Sequence, residues 1–297
     1  MSVIFLILPD FLLIGLGALL LHAWRYSPRF FRDFEKLVYY VLFPALLFQS
    51  ITRTPISPTQ AWQLFLATLA LVSAGIALAW LALPALRADG TAHASLSQTA
   101  YRFNTYMALS LVGHWGATAE TTMAIILGFA VPLVNVAAVH ALARQQGGIL
   151  REIARNPLIL ATTSGLIWNL ASLPLHATLA TTLDRLGSCA IAAGLLCVGA
   201  TLSMHAIHGR ERLMSWMIAV RLLAMPVVAI LVGMILPLST IEKQVLLLFA
   251  AVPTASSAHV LAARLGGQPQ VVAVTMTAGT LLSAITLPFW LAIASRL

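Results

Sequence analysis

Two stretches of this 297-residue chain place groups that can handle a polar solute inside otherwise apolar sequence. The first is TAYRFNTYMALSLVG, residues 99–113, with Arg102, Asn104 and Thr105 at the edge of an apolar run. The second is LLLFAAVPTASSAHVLAARLG, residues 246–266, with Pro253, Thr254, Ser256, Ser257 and His259. Proline removes a backbone donor and clashes with the preceding turn. Asn, Ser and Thr side chains can bond the backbone groups that an unwound turn sets free. A helix broken in this way offers a helix N-terminus, free amides and hydroxyls, the chemistry needed to hold a small anion. The plainer reading is that Ser, Thr and Pro occur in membrane helices with no solute to bind.

Other polar residues in apolar surroundings have two readings each. Arg221, in WMIAVRLLAMPVVAIL, either snorkels to an interface or supplies a positive charge that attracts an organic anion or pairs with a carboxylate. The same choice holds for Arg102. Asp10 follows Pro9 in the first apolar run, and Glu120 opens the fifth; each is a proton carrier or an interfacial residue. His259 titrates near neutral pH and so suits proton coupling, with simple packing as the alternative. Ser256 and His259 are three apart and could share a helix face, as a nucleophile and its base would. No orienting acid accompanies them, and neither HExxH nor GxSxG occurs, so an intramembrane enzyme is the remote reading.

Composition sets the surroundings that must position these groups. The chain is 60% hydrophobic and 9% charged, with mean hydropathy +0.93. A soluble domain carries roughly 25% charged residues, so this chain cannot cover a water-facing surface. It reads as an all-α integral membrane protein, with long apolar runs rather than the alternating segments of a barrel. The net charge of +8 does not indicate a nucleic-acid partner, because the cations are dispersed between apolar runs. Cys189 and Cys197 share one apolar run and form neither a disulfide framework nor a metal site; no cofactor is expected. The first residues, MSVIFLILPDFLLIG, have no basic lead and read as a first span rather than a cleaved signal.

About ten spans are predicted, at 3–23, 37–52, 60–84, 95–113, 118–141, 157–173, 183–206, 215–237, 242–264 and 270–295. With the N-terminus outside, eleven cations fall in inner loops and four in outer loops or ends, while Arg102 and Arg221 lie within spans. That asymmetry favours both termini outside. Ten spans divide into two sets of five, residues 1–145 and 146–297, and an odd number of spans inverts the second set relative to the first. Gly116 and Gly128 are 12 residues apart, as are Gly267 and Gly279, with the first of each pair expected in a tight turn. Under that repeat the two polar stretches correspond, as broken fourth and ninth spans.

Several segments together resemble the auxin efflux carrier family of membrane transporters, in its short bacterial form. LVYYVLFPALLFQSITRTPIS (37–57) resembles the family's proline-containing second helix, and REIARNPLILATTSGLIWNL its Asn-Pro entry to the sixth, here Asn156 and Pro157. AAGLLCVGATLSM (192–204), RLLAMP (221–226), VPTASSAHVLAARLGG (252–267) and SAITLPFWLAI (283–293) resemble the seventh to tenth. The resemblance implies two inverted five-helix repeats, with helices 1, 2, 6 and 7 as a scaffold and 3–5 and 8–10 as a moving transport domain. It also implies a substrate site where helices 4 and 9 cross, at Asn104, Thr105, Pro253, Thr254, Ser256 and Ser257. Plant members have proline at both crossovers, whereas Thr105 follows Asn104 here, so recognition of auxin itself does not carry over. Bacterial members are associated with dicarboxylates such as malate and malonate, and family members can form homodimers.

The expected function is therefore elevator-type transport of a small organic anion in a bacterial inner membrane, with Arg221 offsetting substrate charge and Asp10 or His259 available for proton coupling. A sodium-coupled symporter of the bile-acid type is the alternative. It needs oxygen ligands beside the crossover, and Asp and Glu are absent from the residues around both breaks. A membrane protein with a vestigial transporter fold is a further alternative.

Overall fold

The computed structural model describes residues 3–53, 57–142, 157–202, 209–255 and 257–297. Among them all regular structure is helical. In chain order the helices are α1 Val3–His22, α2 Pro28–Leu37, α3 Phe43–Arg53, α4 Pro58–Ala85, α5 Gly90–Tyr101, α6 Thr105–Gly113 and α7 Ala117–Leu142. There follow α8 Pro157–Leu170, α9 Ala177–Ala200, α10 Glu211–Ala219, α11 Met225–Ile235, α12 Thr240–Ala251, α13 Ser257–Arg264 and α14 Pro269–Ala294. Among the described residues five helical stretches are long and apolar enough to cross a bilayer: α4, α7, α9, α14 and the continuous run Glu211–Ile235. The chain is thus an all-helical membrane protein of about ten spans, and described helix overlaps every expected span.

Two boundaries differ most from the hydropathy reading. The seventh span begins at Ala177, six residues early, because His176 caps the helix there with its ring accepting from the Thr178 N–H. The basic segment between the first two expected spans contains α2. Ser27 Oγ accepts from the Phe30 N–H at 3.1 Å, and Pro28 occupies the first turn, where its missing N–H costs nothing. A polar decapeptide gives no hydropathy signal, so only its cap marked it.

Two helices widen to a π turn just before a proline. Val38–Leu42 leads to Pro44, and Val220–Ala224 leads to Pro226. A proline clashes with the carbonyl four residues back and cannot bond to it. The widened turn makes room, with Phe43 N–H donating to Val38 O and Met225 N–H to Val220 O, five residues back. The carbonyl four before Pro226 belongs to Leu222, and the indole Nε1 of Trp290 on α14 donates to it at 2.8 Å.

Packing separates two groups. α1, α3, α8 and α9 lie mainly against one another, and α4, α5, α7 and α10–α14 against one another. α1 and α9 approach backbone to backbone: a Cβ on Gly17 would overlap the Leu196 carbonyl, and one on Gly199 the Ile14 carbonyl. Small residues permit such approach where the hydrophobic effect gives helices no drive to associate. The groups meet where α6 touches α9, and α7 touches α3 and α8.

Candidate functional site: two interrupted helices joined at their breaks

α5 ends at Tyr101, and Arg102 continues in extended conformation (φ −74°, ψ 151°). Asn104, also extended, then caps α6, its Oδ1 accepting from the Met107 N–H at 3.2 Å. α12 ends at Ala251, and Val252 is extended at φ −65°, ψ 147°. Extension at that position is what a following proline imposes. α13 starts at Ser257. Helix thus stops and restarts within both polar stretches, in the first without a proline.

The breaks bond to each other. The Asn104 N–H donates to the Pro253 carbonyl at 2.7 Å. Thr254 Oγ1 donates to the Thr99 carbonyl, near the end of α5. Gln98 Nε2 donates to Ala258 O at 3.1 Å, and Ser95 Oγ accepts from the Gln268 N–H at 2.9 Å. Phe103 and Phe249 rings lie 4.4 Å apart. Backbone groups left over by one break are thus satisfied by the other, which is the condition for non-helical backbone at membrane depth.

Arg221 lies at the same junction and is 1% exposed. Its Nε donates to Val252 O at 2.7 Å, and its Nη2 to Phe249 O at 2.7 Å and Ala250 O at 3.0 Å. These are the carbonyls at the C-terminal end of α12, where the helix dipole is negative. The side chain turns inward rather than snorkelling, and its partners are backbone carbonyls rather than a carboxylate. Two buried donors there have no partner among the described residues: Arg221 Nη1 and Asn104 Nδ2. A buried polar group without a partner is costly and calls for explanation. Arg102, also buried, donates from Nη2 to Asn135 Oδ1 on α7 at 2.6 Å.

The remaining expected residues fall as follows. Thr105 is the half-buried first residue of α6, while Pro253 and Thr254 are buried. Ser256 lies outside the described residues; Ser257 opens α13. His259, half-buried on α13, has no partner for Nδ1 among the described residues. Asp10 sits apart from the junction, buried in α1, and accepts from Ser110 Oγ of α6 at 2.6 Å. Ser110 is six residues beyond Asn104, about 9 Å along the helix. It lines a cavity of about 230 Å³ between α3, α6, α7 and α9, with Gln49, Glu120, Asp184 and Ser188 on its walls.

Sequence reasoning missed three residues at this site. Tyr106 on the first turn of α6 meets Phe43 edge-on at 4.5 Å, and its ring lies where a side chain on Gly194 of α9 would be. Glu35 lies within electrostatic reach of Tyr106 and Cys197. Trp290 secures the π turn that carries Arg221. Tyr106 and Trp290 read in sequence as ordinary aromatic core, and nothing in their spacing separates them from it.

The geometry fits a solute carrier, and comparison with known proteins agrees. A "Putative malonate transporter" of Rhizobium meliloti (strain 1021) is 26% identical over 301 residues, which cover 95% of this chain and 92% of that relative. The family model described as "Membrane transport protein" matches residues 118–291, well over half of the chain, including the α12–α13 break and Arg221. The chain belongs to the membrane transport protein family.

Proposed function

We propose that the protein moves a small dicarboxylate, malonate or malate in class, across a bacterial inner membrane by elevator-type alternating access. The observation that carries this reading is the junction at which Asn104 and Pro253 join while Asn104 Nδ2 and Arg221 Nη1 keep donors without a partner among the described residues. Asn104, Thr105, Pro253, Thr254, Ser256, Ser257 and Arg221 would form the binding site. One carboxylate would be met by the N-terminus of α6 and the Asn104 amide. The net positive charge of Arg221 would draw the anion into the membrane core. The name of the 26% identical relative supports malonate as the first substrate to try.

In the same reading α1, α3, α8 and α9 are the scaffold, and the other spans are the moving body, divided as two inverted repeats of residues 1–145 and 146–297. The paired breaks support this, as do turn glycines at matching places. Gly116 (φ +90°) joins α6 to α7, and Gly266 (φ +71°) joins α13 to α14. The positive φ falls on Gly266 rather than on Gly267, which instead lies too close to Ser95 Oγ for a side chain. The distribution of cations supports an orientation with both termini outside. Asp10 or His259 would carry a coupling proton. Assembly as a homodimer belongs to the same reading and is checked by the mass of the purified particle.

The test is uptake of radiolabelled malonate and malate into proteoliposomes, with and without a pH gradient, for the wild type and Asn104→Ala. Protein-dependent uptake that collapses in the variant supports both the substrate class and the site. Normal uptake by the variant removes the site, and failure of both anions under every condition removes the substrate class.

A further inference from the structure

α2 carries two stripes that the transport reading does not use. Arg29, Arg32 and Lys36 recur at spacings of three and four, so they share one face of the helix, and Arg25 precedes them in the elbow from α1. All four are exposed, and the Arg29 side chain is 86% exposed. Asp33 is the acid among them, bridged to Lys36 at 2.9 Å and to Arg29 at 4.0 Å. Four cations against one carboxylate leave this face at +3. Glu35 lies instead on the side near Tyr106 and Cys197.

Beside the cations runs an aromatic row. Tyr26 and Phe30 rings are 5.4 Å apart, and Phe30 and Phe34 stack at 5.6 Å. Trp24, Tyr26 and Phe30 are exposed, Trp24 to 62%. Phe31 on the opposite side is buried and packs into the core. The cationic face is therefore held in place from behind rather than swinging freely.

Depth follows from continuity. α2 passes into the π turn and α3 without a break in helical dihedrals, Leu37, Val38 and Phe43 all being right-handed helical. The apolar part begins at Val38, so α2 is the extension of the second span out of the hydrocarbon. Ten residues of helix rise about 15 Å, more than the roughly 5–7 Å of headgroup layer on each side of a bilayer. The stripe thus crosses the level of the lipid phosphates. It lies on the side that the positive-inside distribution marks as cytoplasmic, where anionic lipids attract such segments.

We propose that the Arg25–Arg29–Arg32–Lys36 face of α2, flanked by Trp24, Tyr26 and Phe30, is a binding surface for anionic phospholipid headgroups. The phosphate pairs with the arginines, the aromatic row takes the glycerol and upper acyl region, and the lipid braces the elbow between α1 and the second span. This inference does not depend on the substrate or on the junction between the breaks.

The experiment measures the thermal unfolding midpoint of the detergent-purified protein with added dioleoyl phosphatidylglycerol, with dioleoyl phosphatidylcholine, or with glycerol 3-phosphate. Phosphatidylglycerol raises the wild-type midpoint, and the other two do not. In R29Q/R32Q, which changes only exposed side chains, the lipid concentration for half the effect rises by roughly 5-fold per cation removed. Equal stabilisation by phosphatidylcholine, or an unchanged lipid response in R29Q/R32Q, overturns the surface. Equal stabilisation by glycerol 3-phosphate overturns the lipid as its ligand in favour of a free phosphate.

Discussion

The backbone N–H of Asn104 donates to the carbonyl of Pro253 at 2.7 Å, joining two helix breaks that lie about half the chain apart in sequence. The same asparagine caps α6 through its Oδ1 and keeps its Nδ2 without a partner among the described residues. One residue thus serves both the fold and the proposed site, and substitutions can separate the two roles.

Asn104→Asp keeps an oxygen to cap α6, and a negative charge at a helix N-terminus is favourable. Thermal stability should therefore stay near wild type. The variant loses the amide donor and sets a carboxylate against an anionic substrate. A hydrogen bond to a charged group is worth ~1.5–3 kcal/mol, so apparent affinity for malonate should fall by roughly 10- to 100-fold or more. Concentration-dependent uptake in proteoliposomes measures it. Wild-type affinity in a stable Asn104→Asp protein would move the substrate elsewhere.

Arg221 is expected to act on stability as well as transport. Arg221→Met leaves the carbonyls of Phe249, Ala250 and Val252 without the guanidinium that now bonds them. Each buried acceptor left unsatisfied costs ~1–3 kcal/mol. The midpoint of unfolding in detergent should drop by several degrees, with uptake lost. Arg221→Lys restores charge but not the planar fork, so it should recover part of the stability. A fully stable Arg221→Met protein would show that the carbonyls find other donors.

Gly199→Ala tests the α1–α9 contact. The added Cβ would overlap the Ile14 carbonyl, which is backbone and cannot swing aside. Helix separation should cost at least the ~1–3 kcal/mol typical of an overpacked core. Gly279→Ala is the control, since the nearest atom to its added Cβ is Ile218 Cγ1 at 4.0 Å. Comparing the two midpoints isolates close approach from the general effect of glycine replacement.

Much of this was legible in sequence because hydropathy reports directly on bilayer spanning. Described helix overlaps all ten expected spans, and among the described residues five stretches are long and apolar enough to cross a bilayer. Both breaks were visible, Pro253 by its missing N–H and Asn104 by a polar cap within apolar residues. The partners of Arg221 were not visible: backbone carbonyls carry no side-chain signature, and residues 221 and 249–252 meet only in three dimensions. α2 was hidden for the opposite reason, being too short and polar to register as a span. Tyr106 and Gly194 become informative only as a pair, 88 positions apart, which one sequence cannot link.

Asp10 of α1 and Ser110 of α6 are joined by a 2.6 Å hydrogen bond. If Asp10 carries the coupling proton, Asp10→Asn should remove the dependence of uptake on an imposed pH gradient while exchange of substrate across the membrane continues. Ser110→Ala should keep the dependence and shift its midpoint. Gradient-driven uptake retained in full by Asp10→Asn would assign coupling to another group, with His259 next to be tested.

Tyr106 follows Thr105 on the first turn of α6, and its ring lies across Gly194 of α9 and edge-on to Phe43. It is therefore a side chain of the proposed moving body lodged in the proposed scaffold. Gly194→Ala would drive a Cβ into the ring, so either the ring leaves or the helices part. Tyr106→Ala empties the slot and should restore room for the methyl group. In a double-mutant cycle on thermal stability, G194A/Y106A should be less destabilised than the sum of its singles, with a coupling in the ~0.5–3 kcal/mol range of contacting residues. Uptake should follow a different pattern. If sliding requires Tyr106 to leave this slot, Tyr106→Ala lowers that barrier and speeds exchange at saturating substrate, even as the empty slot lowers stability. Additive stabilities would mean that Tyr106 spends most of its time outside the slot, in the other state of the transport cycle.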